Sequence, residues 1–256
     1  MDPVTLWGMG SAVLSLVVLM VADGTDPLAI VLVPPLVLVF GGTLGATLAG
    51  GTSADMRRVG SWFRLAFSPT PVLRPAETVD LLADLAGVAR RHGLLELEKR
   101  LSAVPDPFLR GALQMVADGV PAERLRRVLE QETEARRGED RLAARFFARM
   151  GGYAPTIGII GTVIGLIQVL QKLDDLDSLG PMVGAAFVAT LWGVLSANFV
   201  WLPLSAKILR GSQLRGTTMA LAVEGACEIQ AGIGPRSLRM RLRSLLPPSE
   251  AVAIPV

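Results

Sequence analysis

Long uncharged stretches alternate with charged stretches along the chain, and the uncharged ones are long enough to cross a membrane. A bilayer core needs about 20 apolar residues of helix. Four stretches meet this requirement: Val4 to Ala22, about Leu28 to Gly50, Arg149 to Lys172, and about Met182 to Ala206. Short acidic turns, DGTDP and KLDDLDSLGP, join the first to the second and the third to the fourth. The pattern predicts an all-α integral membrane protein with four transmembrane helices.

The charged stretch between the second and third spans has the period of helices. In AETVDLLADLAGVARR, four apolar residues recur three or four positions apart and share one helix face. These residues are Val79, Leu82, Leu85 and Ala86. A longer helix is expected to begin at Pro121, a favourable first-turn residue, and to run on toward the third span. A large helical loop is therefore predicted between spans two and three.

The chain beyond Ala206 is predicted to continue the fourth span as a helix. The stretch RSLRMRLRSLLPP that follows is basic and amphipathic. Such a segment suits the surface of a membrane, where its apolar face meets lipid. Membrane lipid is an expected partner of a chain with four spans, and the sequence leaves open whether this tail segment binds it.

Basic residues give the spans an orientation. Of the 25 Lys and Arg, 17 lie in residues 51–150 and seven in the tail from Lys207 onward. The positive-inside rule places this loop and both termini in the cytoplasm. The N-terminus lacks the basic region of a signal peptide, so the first span is expected to be retained. The predicted parts are spans one and two (1–50), a cytoplasmic helical domain (51–149), spans three and four (150–206) and a cytoplasmic tail (207–256).

Composition narrows the function. The chain is 51% hydrophobic and 19% charged, and span four carries no charge, which argues against the alternative of a soluble four-helix bundle. Cys227 is the one cysteine and His92 the one histidine, so no disulfide, catalytic constellation or cysteine metal site is expected. Arginines interleaved with acidic residues disfavour nucleic-acid binding. We expect neither an enzyme nor a bound cofactor.

The third span, GGYAPTIGIIGTVIGLIQVL, contains many residues that weaken helices. Gly158, Gly161 and Gly165 are three and four positions apart and form one small-residue stripe, which is typical of close helix packing. No span contains an Asp, Glu, Lys, Arg or His in its interior. Ion pathways usually require such residues. If the chain serves ion flow, a partner must supply the carboxylate, and the small-residue faces are expected to seat that partner's helix.

Four segments, taken in order, resemble the MotA family (PomA in sodium-driven members), the ring-forming subunit of the bacterial flagellar stator. They are LVFGGTLGATLAG, ARRHGLLELEKRL, YAPTIGIIGTVIGLIQVLQKL and GAAFVATLWGVLSANFVWLPLSAKI. The resemblance implies that five copies surround two copies of a single-span partner, MotB, which carries an ion-binding aspartate. It implies that ion flow across the inner membrane turns the ring, whose cytoplasmic loop pushes on the rotor protein FliG.

The resemblance also implies roles for residues in the spans. Pro155 and Pro203 match the family's third-span and fourth-span prolines, which lie near the ion site or its exit. Thr162 and Thr190 match threonines that face the partner's aspartate. From the residues alone, the prolines are equally typical of simple kinks, and the threonines of hydroxyls bonded to their own i−4 carbonyls.

In the loop, Arg90 and Glu98 match charges that meet oppositely charged residues on the rotor, and Arg91 matches a further basic position. Without the resemblance these side chains are typical of a solvated helix face. Lys99 and Arg100 depart from the family pattern, since some members have acidic residues there.

The transported ion is expected to be a proton. Sodium-type members commonly carry paired threonines in the fourth span, whereas this chain has Ala189 beside Thr190. Sodium needs several oxygens close together to replace its hydration shell, and a proton does not.

Three other functions remain as alternatives. An ExbB/TolQ-type subunit uses the same ion-driven mechanism to power another envelope process, and differs in having three spans. A small transporter usually brings its own midplane polar residues or internal repeats. The small-residue faces alone also suit a structural membrane scaffold.

Overall fold

The computed structural model describes residues 3–68 and 74–251, and every regular element in these ranges is helical. The helices are α1 (Pro3–Ala22), α2 (Val33–Leu36), α3 (Gly42–Ala49), α4 (Ser53–Phe67), α5 (Pro75–His92), α6 (Leu95–Arg100), α7 (Pro107–Ala117), α8 (Ala122–Leu170), α9 (Leu176–Ser196), α10 (Leu202–Gln230), α11 (Pro235–Ser244) and α12 (Pro248–Ala251). Two π-helical segments, π1 (Val37–Gly41) and π2 (Ala197–Trp201), interrupt the regular helix, and 3₁₀ turns occur at Pro27–Ile30 and Leu101–Ala103.

Three helical stretches are long and apolar enough to cross a membrane. They are Thr5–Ala22, a part of Ala122–Leu170, and a part of Asp177–Gln230. A shorter apolar helical stretch covers Val33–Ala49. The predicted helices beginning near Pro121 and continuing beyond Ala206 are confirmed, since α8 begins at Ala122 and α10 extends to Gln230.

The predicted second span is interrupted at its start. The expected helix from about Leu28 is replaced by the 3₁₀ turn Pro27–Ile30, two non-helical residues, and a helix that begins only at Val33. Proline explains this difference, because Pro34 and Pro35 lack the amide hydrogens that a preceding helical turn would need. They are tolerated in the first turn of α2.

The chain divides into two compact units, and the first comprises Met1–Thr70 and Arg141–Leu209. Its core is aromatic. Phe63 packs edge-on against Phe147 and Trp201, and Trp62 packs against Phe146. Trp62 and Phe63 lie on the amphipathic helix α4. A capping box between Thr52 and Asp55 begins this helix.

The second unit comprises Pro71–Asp140 and Arg210–Val256, so the predicted loop and the predicted tail both contribute to it. The face predicted on α5 is confirmed, because its four apolar residues are buried in the core of this unit. The tail helix α11 differs from its expected place on a membrane surface. Leu238 and Leu242, its apolar face, are completely buried in the same core, so that face is used within the chain.

Candidate functional site: the α8–α9 contact and the charged end of α5

The glycine stripe of the third span lies against α9 of the same chain. A methyl group on Gly158 would approach the carbonyl oxygen of Ala189 to 2.8 Å, and one on Gly161 would approach Cβ of Ala189 to 2.6 Å. A methyl group on Gly165 would meet Cβ of Ala186 at 2.5 Å. Glycine is therefore needed for the backbones to approach this closely. The stripe packs the two helices together, whereas the sequence suggested a seat for a partner's helix.

Thr162 and Thr190 meet across this contact. Their hydroxyl oxygens are 2.5 Å apart, and both are partly buried. Thr162 also has the carbonyl oxygens of Ala186 at 3.0 Å and Gly158 at 3.3 Å as acceptors, and Thr190 has that of Gly158 at 3.3 Å. The i−4 bond considered from sequence exists for Thr162, but the main acceptors lie on the neighbouring helix. The two hydroxyls form one small polar group in an otherwise apolar contact.

An open groove of about 350 Å³ lies beside this polar group. It is bounded by α2 and π1 on one side and by α8 and α9 on the others, and Gly161, Gly165 and Ala189 all line it. The remaining lining is apolar except for Gln168. Gln168 was not singled out from the sequence, although a lone amide in an apolar stretch was a usable signal. No group of three His, Cys, Asp or Glu side chains that could hold a metal occurs within residues 3–68 and 74–251.

The two predicted prolines lie in different surroundings. Pro203 is exposed and lies two residues beyond the end of π2, where the amide of Leu202 donates to the carbonyl of Ala197 five residues earlier. A proline clashes with the carbonyl four residues before it, and the wider π turn relieves that clash. Pro155 lies inside α8, without a π segment, where Gly193 of α9 comes close to its backbone.

The π segments contact each other through aromatic rings. Phe40 of π1 lies 6.2 Å from Trp201 of π2, measured between ring centroids, and 6.1 Å from Trp192 of α9. The indole nitrogen of Trp192 donates to the carbonyl of Ile30 at 2.6 Å, which ties the 3₁₀ turn to α9. These contacts leave no signal in the sequence, because aromatic residues in an apolar span show no preferred partner.

The predicted rotor-facing residues Arg90, Arg91 and Glu98 are exposed at the end of α5 and on α6. Within the described part of the chain, none of these three side chains forms an ion pair or a hydrogen bond. By contrast, Lys99 donates to Glu96 at 2.7 Å, and this hydrogen bond lowers the pKa of the Glu96 carboxyl. The end of α5 therefore presents charges that are free to meet a partner, while those of Glu96 and Lys99 are already paired.

Comparison with known proteins places these features in a family. Residues 100–220 match the model of the MotA/TolQ/ExbB proton channel family. Motility protein A of Bacillus subtilis is 33% identical over 247 residues, which cover 96% of this chain and 92% of that protein. The flagellar MotAB stator complex from Bacillus subtilis contains a chain with a TM-score of 0.89 and 32% identity, with 98% of both chains covered. In the C. jejuni MotAB structure the TM-score is also 0.89, at 27% identity and 97% coverage of both chains.

Proposed function

The chain belongs to the MotA family of motility proteins, and from this premise we propose that it is the ring-forming subunit of a flagellar stator. Together with a MotB-type partner it conducts ions across the inner membrane and converts the flow into torque. The observation that carries this proposal is the similarity to stator subunits over nearly the whole of both chains.

The spans support a division of labour with the partner. Their interiors contain no Asp, Glu, Lys, Arg or His, and the Thr162 and Thr190 hydroxyls form a polar group where the third and fourth spans meet. A conducting site needs a group that binds and releases the ion, so the partner's single span supplies the carboxylate and this chain supplies neutral hydroxyls beside it. The fourth span has a single threonine, Thr190, where sodium-type members commonly carry a pair. The proposed ion is therefore H⁺.

The proposed topology has four spans. The stretch Val33–Ala49 is short for a span, but the preceding turn and residues 31–32 extend its apolar length. The distribution of Lys and Arg supports a cytoplasmic location for both termini and for residues 51–149. There, the free charges of Arg90, Arg91 and Glu98 meet FliG, and five copies of the chain surround the partner.

Deletion of the gene tests the function directly. We expect cells with normal filaments that do not swim, and swimming should return with the wild-type gene. Cells that lack filaments would contradict a role in the stator. Normal swimming in a strain with no second stator would also contradict it, and envelope energisation of the ExbB/TolQ type would then be assayed.

Charge reversal tests the rotor face. Arg90→Glu should lower torque without lowering the ion leak of a complex whose plug has been removed, because contacts between opposite charges orient the two proteins. Arg124→Glu is a matched control, since Arg124 is also exposed and has no ion pair among the described residues, but lies on α8. Equal loss of torque in both variants would refute a specific role for Arg90.

A further inference from the structure

The start of the tail helix α11 meets the end of α5, where the proposed rotor contact lies. A methyl group on Gly87 of α5 would lie 3.3 Å from Cγ of Pro235, the first residue of α11. Arg239 forms ion pairs with Asp80 at 3.4 Å and Asp84 at 3.8 Å, both on α5. The tail therefore packs along the helix whose last turn contains Arg90.

The guanidinium group of Arg90 points its Nη1 toward Gly234, the residue that precedes α11. A methyl group on Gly234 would come within 2.6 Å of Nη1 and 3.8 Å of Cζ of Arg90. Arg90 has no ion pair or hydrogen bond among the described residues, and the approach of Nη1 to Gly234 is its contact with the tail.

Gly234 itself is held from both sides. The amides of Gly232 and Ile233 donate to the carbonyls of Ile229 and Glu228 and close the end of α10. On the other side, the amide of Leu238 donates to the carbonyl of Gly234 at 3.0 Å. The rest of α11 is fixed by its buried leucines and by ion pairs from Arg241 to Glu224 at 2.6 Å and to Glu228 at 2.8 Å. The surface beneath Arg90 is therefore rigidly placed.

We infer that Gly234 is a positioning residue for torque generation, which sets where the Arg90 charge is presented to the rotor. A free arginine side chain loses much rotational freedom when it binds a partner, and a fixed surface beneath it reduces that loss. The inference rests on the proposed rotor-facing role of Arg90. It assigns the tail a part in the rotor contact without requiring the tail to touch the rotor.

Gly234→Ala tests the inference with little disturbance of the fold. The backbone of Gly234, at φ −76° and ψ 152°, is open to any residue, and the atom displaced is the far end of a flexible side chain. The control is Gly111→Ala on α7, where the added methyl group meets no atom within 4 Å. Torque per stator unit is read from the speed steps as units join a motor one at a time, which makes it independent of expression.

We expect Gly234→Ala to lower torque per unit while Gly111→Ala leaves it unchanged, and the ion leak of the unplugged complex to be normal in both. In an Arg90→Ala background, Gly234→Ala should cause no further loss. Full torque per unit in Gly234→Ala overturns the inference, as does an equal loss in the presence and absence of Arg90. Normal torque in both Arg90→Ala and Arg90→Glu would refute the rotor-facing role itself, and the inference with it.

Discussion

Gly158 lies directly against the backbone of α9, and this makes it sensitive to a single methyl group. Gly158→Ala would gain about 1 kcal/mol of helix propensity. The new methyl group would, however, meet the Ala189 carbonyl oxygen at 2.8 Å and Cα of Thr190 at 3.0 Å, and backbone atoms cannot rotate aside. Overpacking costs about 1–3 kcal/mol, so we expect net destabilisation.

Thermal denaturation of the purified complex measures this effect. Gly152→Ala on the same helix is the control, because its methyl group would meet nothing within 4 Å and only the propensity gain remains. We expect a lower melting temperature for Gly158→Ala and an unchanged or higher one for Gly152→Ala. Similar melting temperatures would mean that α8 and α9 separate easily.

Thr190 can lose its hydroxyl without leaving its neighbour unpaired. In Thr190→Val the shape is kept, and Thr162 retains the carbonyl oxygens of Ala186 and Gly158 as acceptors. The loss in stability should therefore be about 1 kcal/mol. We expect assembly to persist and ion leak through the unplugged complex to fall, because the hydroxyl proposed to face the partner's carboxylate is gone.

Thr190→Ser keeps the hydroxyl and should retain the leak. Thr156→Val is a second control, since Thr156 is exposed and bonds only the carbonyl of Tyr153 in its own helix. An unchanged leak in Thr190→Val would exclude its hydroxyl from the ion path.

At the residue scale, the sequence could predict close packing but not its partner. The spacing of Gly158, Gly161 and Gly165 indicates a small-residue stripe on any helix. Whether α9 of the same chain or a helix of another chain covers the stripe depends on tertiary contacts, which the spacing does not encode. The pairing of Thr162 with Thr190 follows from the same contact and was equally hidden.

At the scale of elements, the π-helical segment π2 accommodates Pro203, so the two are expected to change together. In Pro203→Ala the restored amide can donate to the carbonyl of Phe199 and close the wide turn into regular α-helix. An alanine in a helix interior is favoured over proline by about 3 kcal/mol. We therefore expect a complex at least as stable as the wild type that has lost torque, because the wide π turn is gone.

Stability and stall torque measured together check this expectation. Pro181→Ala is the matched control, because Pro181 is also exposed inside an apolar helix but has no π segment before it. Unchanged torque in Pro203→Ala would make π2 a structural accommodation only. A destabilised complex would show that the proline serves folding.

Proline also explains why the second span differs from its prediction while the long helices agree with theirs. The long helix α8 has a clear start at Pro121 and α10 continues an apolar span, and both were predicted. The second span was drawn through Pro34 and Pro35 because its hydropathy is continuous, although these prolines delay the helix to Val33. The helix α11 was predicted as amphipathic, but its apolar face alone could not distinguish a membrane surface from the protein core that covers Leu238 and Leu242.

For the whole molecule, the two compact units do not correspond to continuous stretches of the sequence. Each of the two units combines an earlier and a later stretch of chain, so the core of the second unit contains residues of α5 and α11 that are about 150 positions apart. Hydrophobic patterns predict each helix separately. They carry no information on which distant helices share a core, and this is why the link between the tail and Arg90 was visible only in the structure.

We expect the ion that drives the whole assembly to follow from what each chain can offer near the carboxylate proposed for the partner. Two hydroxyls per chain already bond each other, and Ala189, where sodium-type members carry a threonine, packs tightly against Gly161. A sodium ion must exchange its hydration shell for several oxygens, whereas a proton needs only the carboxylate. We expect swimming to persist when sodium is replaced by potassium, and to stop when a protonophore collapses the proton gradient. Swimming speed that rises with sodium concentration and survives the protonophore would contradict proton coupling, and would require backbone carbonyls or partner residues to supply the missing ligands.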